Sequence, residues 1–577
     1  MALDCFAALA MTNRPVVTAS ITVTPGSIAL VPAAYSRYNS IAGLSAASFI
    51  VAGREQGFSR FALPAKARGM MHGAPLSLFN SMSRSIETFA PIDPKMVRLY
   101  SCGPTVYSTA HLGNLRAYVF TDTLRRTLNW KGYATTHVVN ITDVGHLTSD
   151  ADVGDDKMEL AAAKAGTTAW DVAARYTRLF KDDLKALNIV DPAIWSVATD
   201  HIQDMIAFAQ AIEDAGAAYE IDGGLYFDVS KVPDYGRLAR HGDGPEIGRI
   251  ETVEGKRNAA DFAIWRRSAN DEHRQMEWLS PWGPGAPGWH LECSVMSLKY
   301  LGEQFDIHTG GIDHREIHHC NEIAQNQAFT GSAASGANIW MHNNFLVDRT
   351  GKMSKSKGGV ATLGALVALG VHPLAYRLLC LGAHYRSELE FSLEAVAASL
   401  TRLKRLLIIV SALKAEAALD ETMLRPTREA GASKGAAFDW QRRGLERGLS
   451  EEALAFAARF DEALSADLMT PQALPVLEAA IASALPAVEK LRLVASFDLT
   501  LGLRLLDLDR AALSVRPEDA ELTDAAVDAL LDQRQQARVA KDFAAADAVR
   551  DRLKQAGVDI MDGQDLRWEW RPRLSEG

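Results

Sequence analysis

At 577 residues the chain is too long for one compact domain, and a 48% hydrophobic content is ample for several cores. Its formal net charge of −10 argues against a binder held to nucleic acid by bulk positive charge, although basic groups gathered on one face stay compatible with an RNA partner. Cys5, Cys102, Cys293, Cys320 and Cys380 are too few for a disulfide framework and suit a reducing cytoplasm, and no apolar run reaches the roughly 18 residues of a membrane span.

The first 70 or so residues are rich in Ala and Ser, with Asp4 and Glu55 as their only acids against six basic residues. They show no sustained period. Residues 1–70 are expected to be a disordered leader, or to precede a true start at Met70 or Met71. The alternative, an acid-poor transit peptide, would place the chain in an organelle.

From residue 97 the pattern becomes α/β. A buried strand is predicted over 97–102, broken by Gly103-Pro104, then a helix over 111–130 and a strand over 135–141. Helical patterns follow over 159–188 and 201–215. A strand-like, Gly/Pro-rich stretch covers 218–289. A strand at 305–308, a helix near 318–329 and a strand near 339–346 resume the alternation. Such alternation around a long insertion fits a split parallel sheet. After Pro373 the chain reads as helical to about Leu508, with a surface loop within 414–447. The tail from Glu521 holds two helical patterns and ends in Arg567-Trp568-Glu569-Trp570-Arg571.

His111-Leu112-Gly113-Asn114 follows the first strand and opens a helix. Helix N-termini present unpaired N–H groups and a positive dipole end, which suit phosphate. Gly113 permits close backbone approach, and Thr105 lies just upstream. Taken alone, this tetrapeptide also suits a capped helix start on the surface. Lys352-Met353-Ser354-Lys355-Ser356 lies about 240 residues on, between Gly351 and Gly358-Gly359. Two ammonium groups on a Gly-flanked loop can offset the charge of a departing pyrophosphate. In this order the two segments resemble the HIGH and KMSKS motifs of class I aminoacyl-tRNA synthetases. Asn114 stands where the second His of HIGH is usual, which keeps a donor and removes a titratable group.

Cys102, Cys293, His318 and Glu322 form a candidate metal set. His318 and Glu322 are four apart on a predicted helix and share a face. Two thiolates, an imidazole and a carboxylate suit zinc. Spacing alone leaves open whether they meet. The segments CGPTVY, NITDV, LYFDVSKVPDYGRL, KRNAADFAIW, GWHLECS, HTGGIDHREIHHCNEIAQ and KMSKS together resemble the cysteinyl-tRNA synthetases, over roughly residues 78–570. The resemblance implies a Rossmann-type class I catalytic domain over 71–365, split by an insertion near 217–300. A helical tRNA-contacting domain over 366–515 and an anticodon-binding domain over 516–577 would follow. It also implies that these four residues hold one zinc per chain, which takes the substrate thiolate. The family text near the His ligand is usually closer to FPHHENE. Here it reads EIHHCNE, and Cys320, some 200° round the helix from His318, should face away from the metal. His319 is expected to pack or hydrogen-bond nearby.

Serine differs from cysteine by one atom, and a shape-selective pocket separates such isosteres poorly. A thiol loses its proton far more easily than a hydroxyl, so zinc can discriminate without an editing domain. The implied reaction joins L-cysteine to ATP, with Mg2+, as cysteinyl-adenylate, then loads tRNA(Cys). His111 and Asn114 would steady the phosphates, and Lys352 and Lys355 would follow pyrophosphate. Gly310, Gly311 and Asp313 would meet adenosine, and Trp289 would line the amino-acid pocket. The tail, with Phe543 for stacking and Arg538, Lys541, Arg550, Arg567 and Arg571 for backbone contacts, resembles the family's anticodon-binding end. It argues against a related cysteine ligase with a small aminoglycoside acceptor, which lacks that domain. Intact motifs argue against a catalytically dead paralogue. No membrane partner is expected, and the chain should act as a monomer.

Overall fold

The computed structural model describes residues 73–144, 156–239, 253–268, 274–348, 351–352, 362–418, 424, 437–562 and 566–574. The predicted leader, 1–70, and Lys355 with most of its motif lie outside the described residues. Strands β1 (Ser77–Asn80) and β2 (Ser85–Thr88) form a short antiparallel hairpin. Next come β3 (Met96–Ser101), α1 (Leu112–Trp130), β4 (Ala134–Ile141), α2 (Lys157–Ala165), α3 (Ala169–Ala186), β5 (Ile194–Val197) and α4 (Ile202–Asp214). Strands β6 (Ala218–Ile221), β7 (Gly224–Phe227), β8 (Phe262–Arg267) and β9 (Gly285–Pro287) make a separate antiparallel sheet in that order. The α/β pattern returns with α5 (Trp289–Leu301), β10 (Gln304–Gly311), α6 (His318–Thr330) and β11 (Gly336–Asn343).

The main sheet is parallel, in the order β11-β10-β3-β4-β5. Parallel neighbours need crossover connections, and helices α1 and α5 both cover this sheet. Its core strands are buried on both faces, so β10 reads as a run and not as an alternation. Two polar residues within that run demand partners. Asp306 accepts from the backbone N–H groups of Ile92, at 2.6 Å, and Arg98, at 2.7 Å. His308 turns toward Glu322.

Beyond the sheet, β12 (Leu346–Asp348) pairs with β13 (Gly351–Lys352) and β14 (Leu389–Glu390), with α7 (Leu363–Ala368) and α8 (Pro373–Leu381) between them. A helical region follows: α9 (Leu393–Ala417), α10 (Ala437–Glu446), α11 (Glu451–Ser465), α12 (Thr470–Ala482) and α13 (Ala487–Leu501). The tail folds as α14 (Asp524–Val539), α15 (Phe543–Gln555) and a hairpin of β15 (Val558–Ile560) and β16 (Trp568–Trp570) around its own small core. Among the described residues no helix is long and apolar enough to cross a membrane.

Several predicted elements need correction. The helix expected over 159–188 is two helices. Gly166 ends α2 in the left-handed region at φ 64°, and the Thr168 side chain caps α3 by accepting from Asp171 N. Trp289 opens α5 and does not close a strand region. The strand expected to run to 346 stops at Asn343, and Lys352 pairs as a strand residue with Val347. The helical region ends at Leu501. Strand β5 and the hairpins β1-β2 and β15-β16 had no predicted counterpart; at three or four residues each they are too short for a period to register.

Candidate active site

Strand β3 ends at Ser101, and Cys102 follows at the sheet's C-terminal edge, where parallel sheets place their ligand crevices. The chain then stays close to β4. Thr105 bridges Thr142, and Val106 N donates to Thr142 O at 3.1 Å. A Cβ on Gly103 would stand 1.5 Å from the Asn140 carbonyl oxygen, so only glycine fits there and holds Cys102 in place. The turn opens α1 at His111. Its Nδ1 accepts from Asn114 N at 3.1 Å, while the Asn114 Oδ1 accepts from His111 N at 3.2 Å. This reciprocal cap leaves the ring proton on Nε2. Helix capping and phosphate donation are therefore compatible in the same two residues.

A cleft of about 740 Å3 lies over this edge. Its lining includes Cys102, Thr105, His111, Gly113, Asn114, Trp289, Cys293, Gly310, Gly311, Asp313 and His318. Its volume suits a nucleotide together with an amino acid. A Cβ on Gly311 would lie 2.4 Å from Asp313 Oδ1, so the carboxylate folds back over the strand end. Trp289 and Cys293, one turn apart on α5, both face the cleft, and the Trp289 ring lies 4.3 Å from that of His318.

One ligand atom each from Cys102, Cys293, His318 and Glu322 lies within 4.8 Å of all the others, and all four residues are buried. Glu322 Oε1 lies 3.0 Å from His318 Nε2, close enough for carboxylate and imidazole to pair directly. A second set, Cys102, His308, His319 and Glu322, meets the same distance limit. Only the first set brings Cys293 and His318 to the cleft wall, within reach of a small molecule.

Behind these four lies a layer of histidines that sequence reasoning named only at His319. His290 Nδ1 lies 2.9 Å from His318 Nδ1, and His308 Nε2 lies 3.0 Å from Glu322 Oε2. His319 Nε2 lies 3.3 Å from Cys102 Sγ; its Nδ1 meets His342, which in turn meets Ser81 of the first hairpin. Partners of this kind orient ligand side chains and set their basicity. Cys320 points elsewhere, as expected: it packs with Leu238, Ile323 and Trp340. Burial pushes its thiol up to about 12.

The electrostatics ionise two of the four, Cys293 and Glu322, and keep the proton on the other two, Cys102 and His318. A hydrogen bond from Cys102 brings the Cys293 thiol down to about 6 against the opposing effect of burial, whereas Cys102 itself is pushed up by burial and by Cys293. Burial works to raise Glu322, yet His308 and His318 hold it at about 2. Burial would lower His318, but Glu322 and Cys293 lift it to about 10. A cation held at this point would have to displace the protons of His318 and Cys102, so its affinity would fall with falling pH.

The family model for tRNA synthetases class I (C) catalytic domain matches residues 88–401, and that for the cysteinyl-tRNA ligase anticodon binding domain matches residues 520–571. The chain is 64% identical to a cysteine--tRNA ligase of Zymomonas mobilis subsp. mobilis, over 86% of this chain and 98% of that one. It is 55% identical to one from Novosphingobium aromaticivorans, over 86% and 97%, and 40% identical to one from Treponema denticola, over 86% and 99%. With its parallel sheet, its cleft over the strand ends and its separate tail, the chain belongs to the cysteine--tRNA ligase family of class I synthetases.

Proposed function

We propose that the chain, acting as a monomer, activates L-cysteine with ATP and Mg2+, transfers it to tRNA(Cys), and selects cysteine through its thiolate. The observation that carries this is the convergence of Cys102, Cys293 and His318 at the wall of the nucleotide-sized cleft, with Glu322 buried behind them and a ligand atom of each within 4.8 Å of the others. Those residues would hold zinc. Once bound there, zinc supplies an acceptor for a thiolate that a neutral hydroxyl does not satisfy.

The chain's own residues order the two steps. Trp289, beside His318, closes one wall of the amino-acid pocket. The His111 Nε2–H and the Asn114 amide stand at the start of α1, where they support the phosphates as cysteine carboxylate attacks the α-phosphorus. Gly310, Gly311 and Asp313 receive the adenosine, with the Asp313 carboxylate toward ribose hydroxyls. Lys352 and Lys355 offset the charge of pyrophosphate. In the tail, Phe543 is 64% exposed and Val539 75% exposed at the turn between α14 and α15, an arrangement open to base stacking. Arg550, Arg567 and Arg571 are paired with Asp547, Asp532 and Asp559, so any backbone contact from them exchanges one partner for another.

Spectroscopy of the cobalt-substituted protein tests the thiolate reading. Cysteine should add a sulfur-to-metal charge-transfer band that serine does not, and the band should grow with pH as the thiol ionises. Equal bands with both amino acids, or none with cysteine, would remove the claim.

A further inference from the structure

The cleft has two halves, set by strand order. On one side, the ends of β10 and β11 bring Gly310, Gly311, Asp313 and residues 343–346. On the other, β4 brings Asn140 and Thr142, and the helices that follow it bring Lys157 from the start of α2 and Tyr176 from α3. Among the described lining residues, Lys157 is the one lysine or arginine. Its Nζ lies 5.5 Å from the ring centroid of Tyr107, in the loop after β3. Lys157, Tyr107 and Tyr176 are each partly exposed, and none belongs to HLGN or KMSKS.

With adenylate in the β10/β11 half, the β4 half of the cleft is left for the acceptor. The terminal ribose hydroxyl would then reach the activated carbonyl carbon from the β4 side. There it meets a cation beside the Tyr107 ring, with the partly exposed Tyr176 on the same lining. This combination suits single-stranded nucleic acid, since ring faces stack on bases of any kind and an ammonium group meets a phosphate. We propose that Lys157, with Tyr107 and Tyr176, receives the single-stranded 3′ end of the tRNA, with Lys157 on a terminal phosphodiester. The inference rests on the proposed function.

The test separates the two steps of the reaction in the full-length protein. Lys157→Ala should leave cysteine-dependent pyrophosphate exchange within about twofold of the unaltered protein, which also reports that the variant is folded. Its KM for tRNA should rise, or its single-turnover transfer from preformed cysteinyl-adenylate should slow, by about 10-fold or more, as for the loss of one charge-assisted contact. Lys157→Arg should recover most of that loss, and added salt should narrow the difference between unaltered protein and Lys157→Ala. Exchange falling in step with transfer would overturn the proposal and assign Lys157 to ATP or to the cysteine carboxylate. Transfer unchanged would also overturn it. An unaltered protein that charges no tRNA would overturn the functional reading beneath it, an outcome distinct from both.

Discussion

Cys293→Ala should abolish bound zinc and cysteine-dependent pyrophosphate exchange together. Among the described thiols Cys293 is the most acidic, with a value brought down to about 6. It is therefore a ready thiolate donor in a set whose atoms lie within 4.8 Å of one another. Even the outer partners of metal ligands are worth about 10- to 100-fold in affinity or activity, so loss of a ligand should cost more than about 100-fold in exchange. His318→Ala should do the same. ATP binding should survive better in both, because the segments assigned to the nucleotide belong to the starts or ends of other elements. Cys320→Ala is the matched control. Its sulfur lies among Leu238, Ile323 and Trp340, so zinc content and exchange should stay near normal, with only the loss of a small buried group to register. Metal analysis beside exchange assays checks all three. Full exchange in a zinc-free Cys293→Ala protein would show that this cluster serves structure alone.

Asp122→Ala should cost about 3–5 kcal/mol of stability, the usual result of removing one partner from a buried ion pair. Asp122 lies on α1 and is buried. Its Oδ2 accepts from Arg126 Nε at 2.7 Å and from Arg377 Nη2 at 2.6 Å, and Oδ1 accepts from Val190 N at 2.9 Å. The two guanidinium groups reach on to main-chain carbonyls of separate elements: Arg377 donates to Leu501 O at 2.7 Å and to Leu187 O at 3.0 Å, and Arg126 donates to Asn188 O at 2.7 Å. One carboxylate thus ties the HLGN helix to the last helix of the α-helical region. Its removal leaves two buried cations without their paired carboxylate, with Asp498 as a longer-range counter-charge. Thermal or urea unfolding measures the loss, and an Asp122→Leu/Arg377→Met pair should recover part of it, because the uncompensated charge at 377 is gone.

The same carboxylate gives a pH dependence of known sign. Burial alone would raise Asp122, but Arg126 and Arg377 outweigh it and hold the group below its ordinary value. The stability it contributes is fully present above the ordinary aspartate value of about 3.9. It is lost as pH falls through the lower native value. The Asp122→Ala protein should lack this component of acid sensitivity.

Local chemistry made much of this protein legible before any coordinates. HLGN sits where a strand ends and a helix begins, and both signals are short-range: a Gly-Pro break, a capping pair and a helical period. The strands at 97–102 and 135–141 and the helix at 111–130 lie within a residue or so of β3, β4 and α1 for that reason. His318 and Glu322 share a face by helical geometry alone, and the family resemblance supplied Cys102 and Cys293. Tertiary structure decided the rest. His290, His308 and His342 belong to the site only because β10, β11 and α5 bring them behind the ligands, and a lone histidine in a buried strand carries no local sign of its partner. The Asp122–Arg377 pair joins residues 255 apart in sequence. Lys157 reads as one more solvated helix charge until the order β11-β10-β3-β4-β5 puts α2 on the side of the cleft away from Gly310, Gly311 and Asp313. Periodicity reports which face of an element is buried; it holds no record of which other element lies against that face. Pairings between distant segments arise from packing, and packing is settled by the whole chain at once.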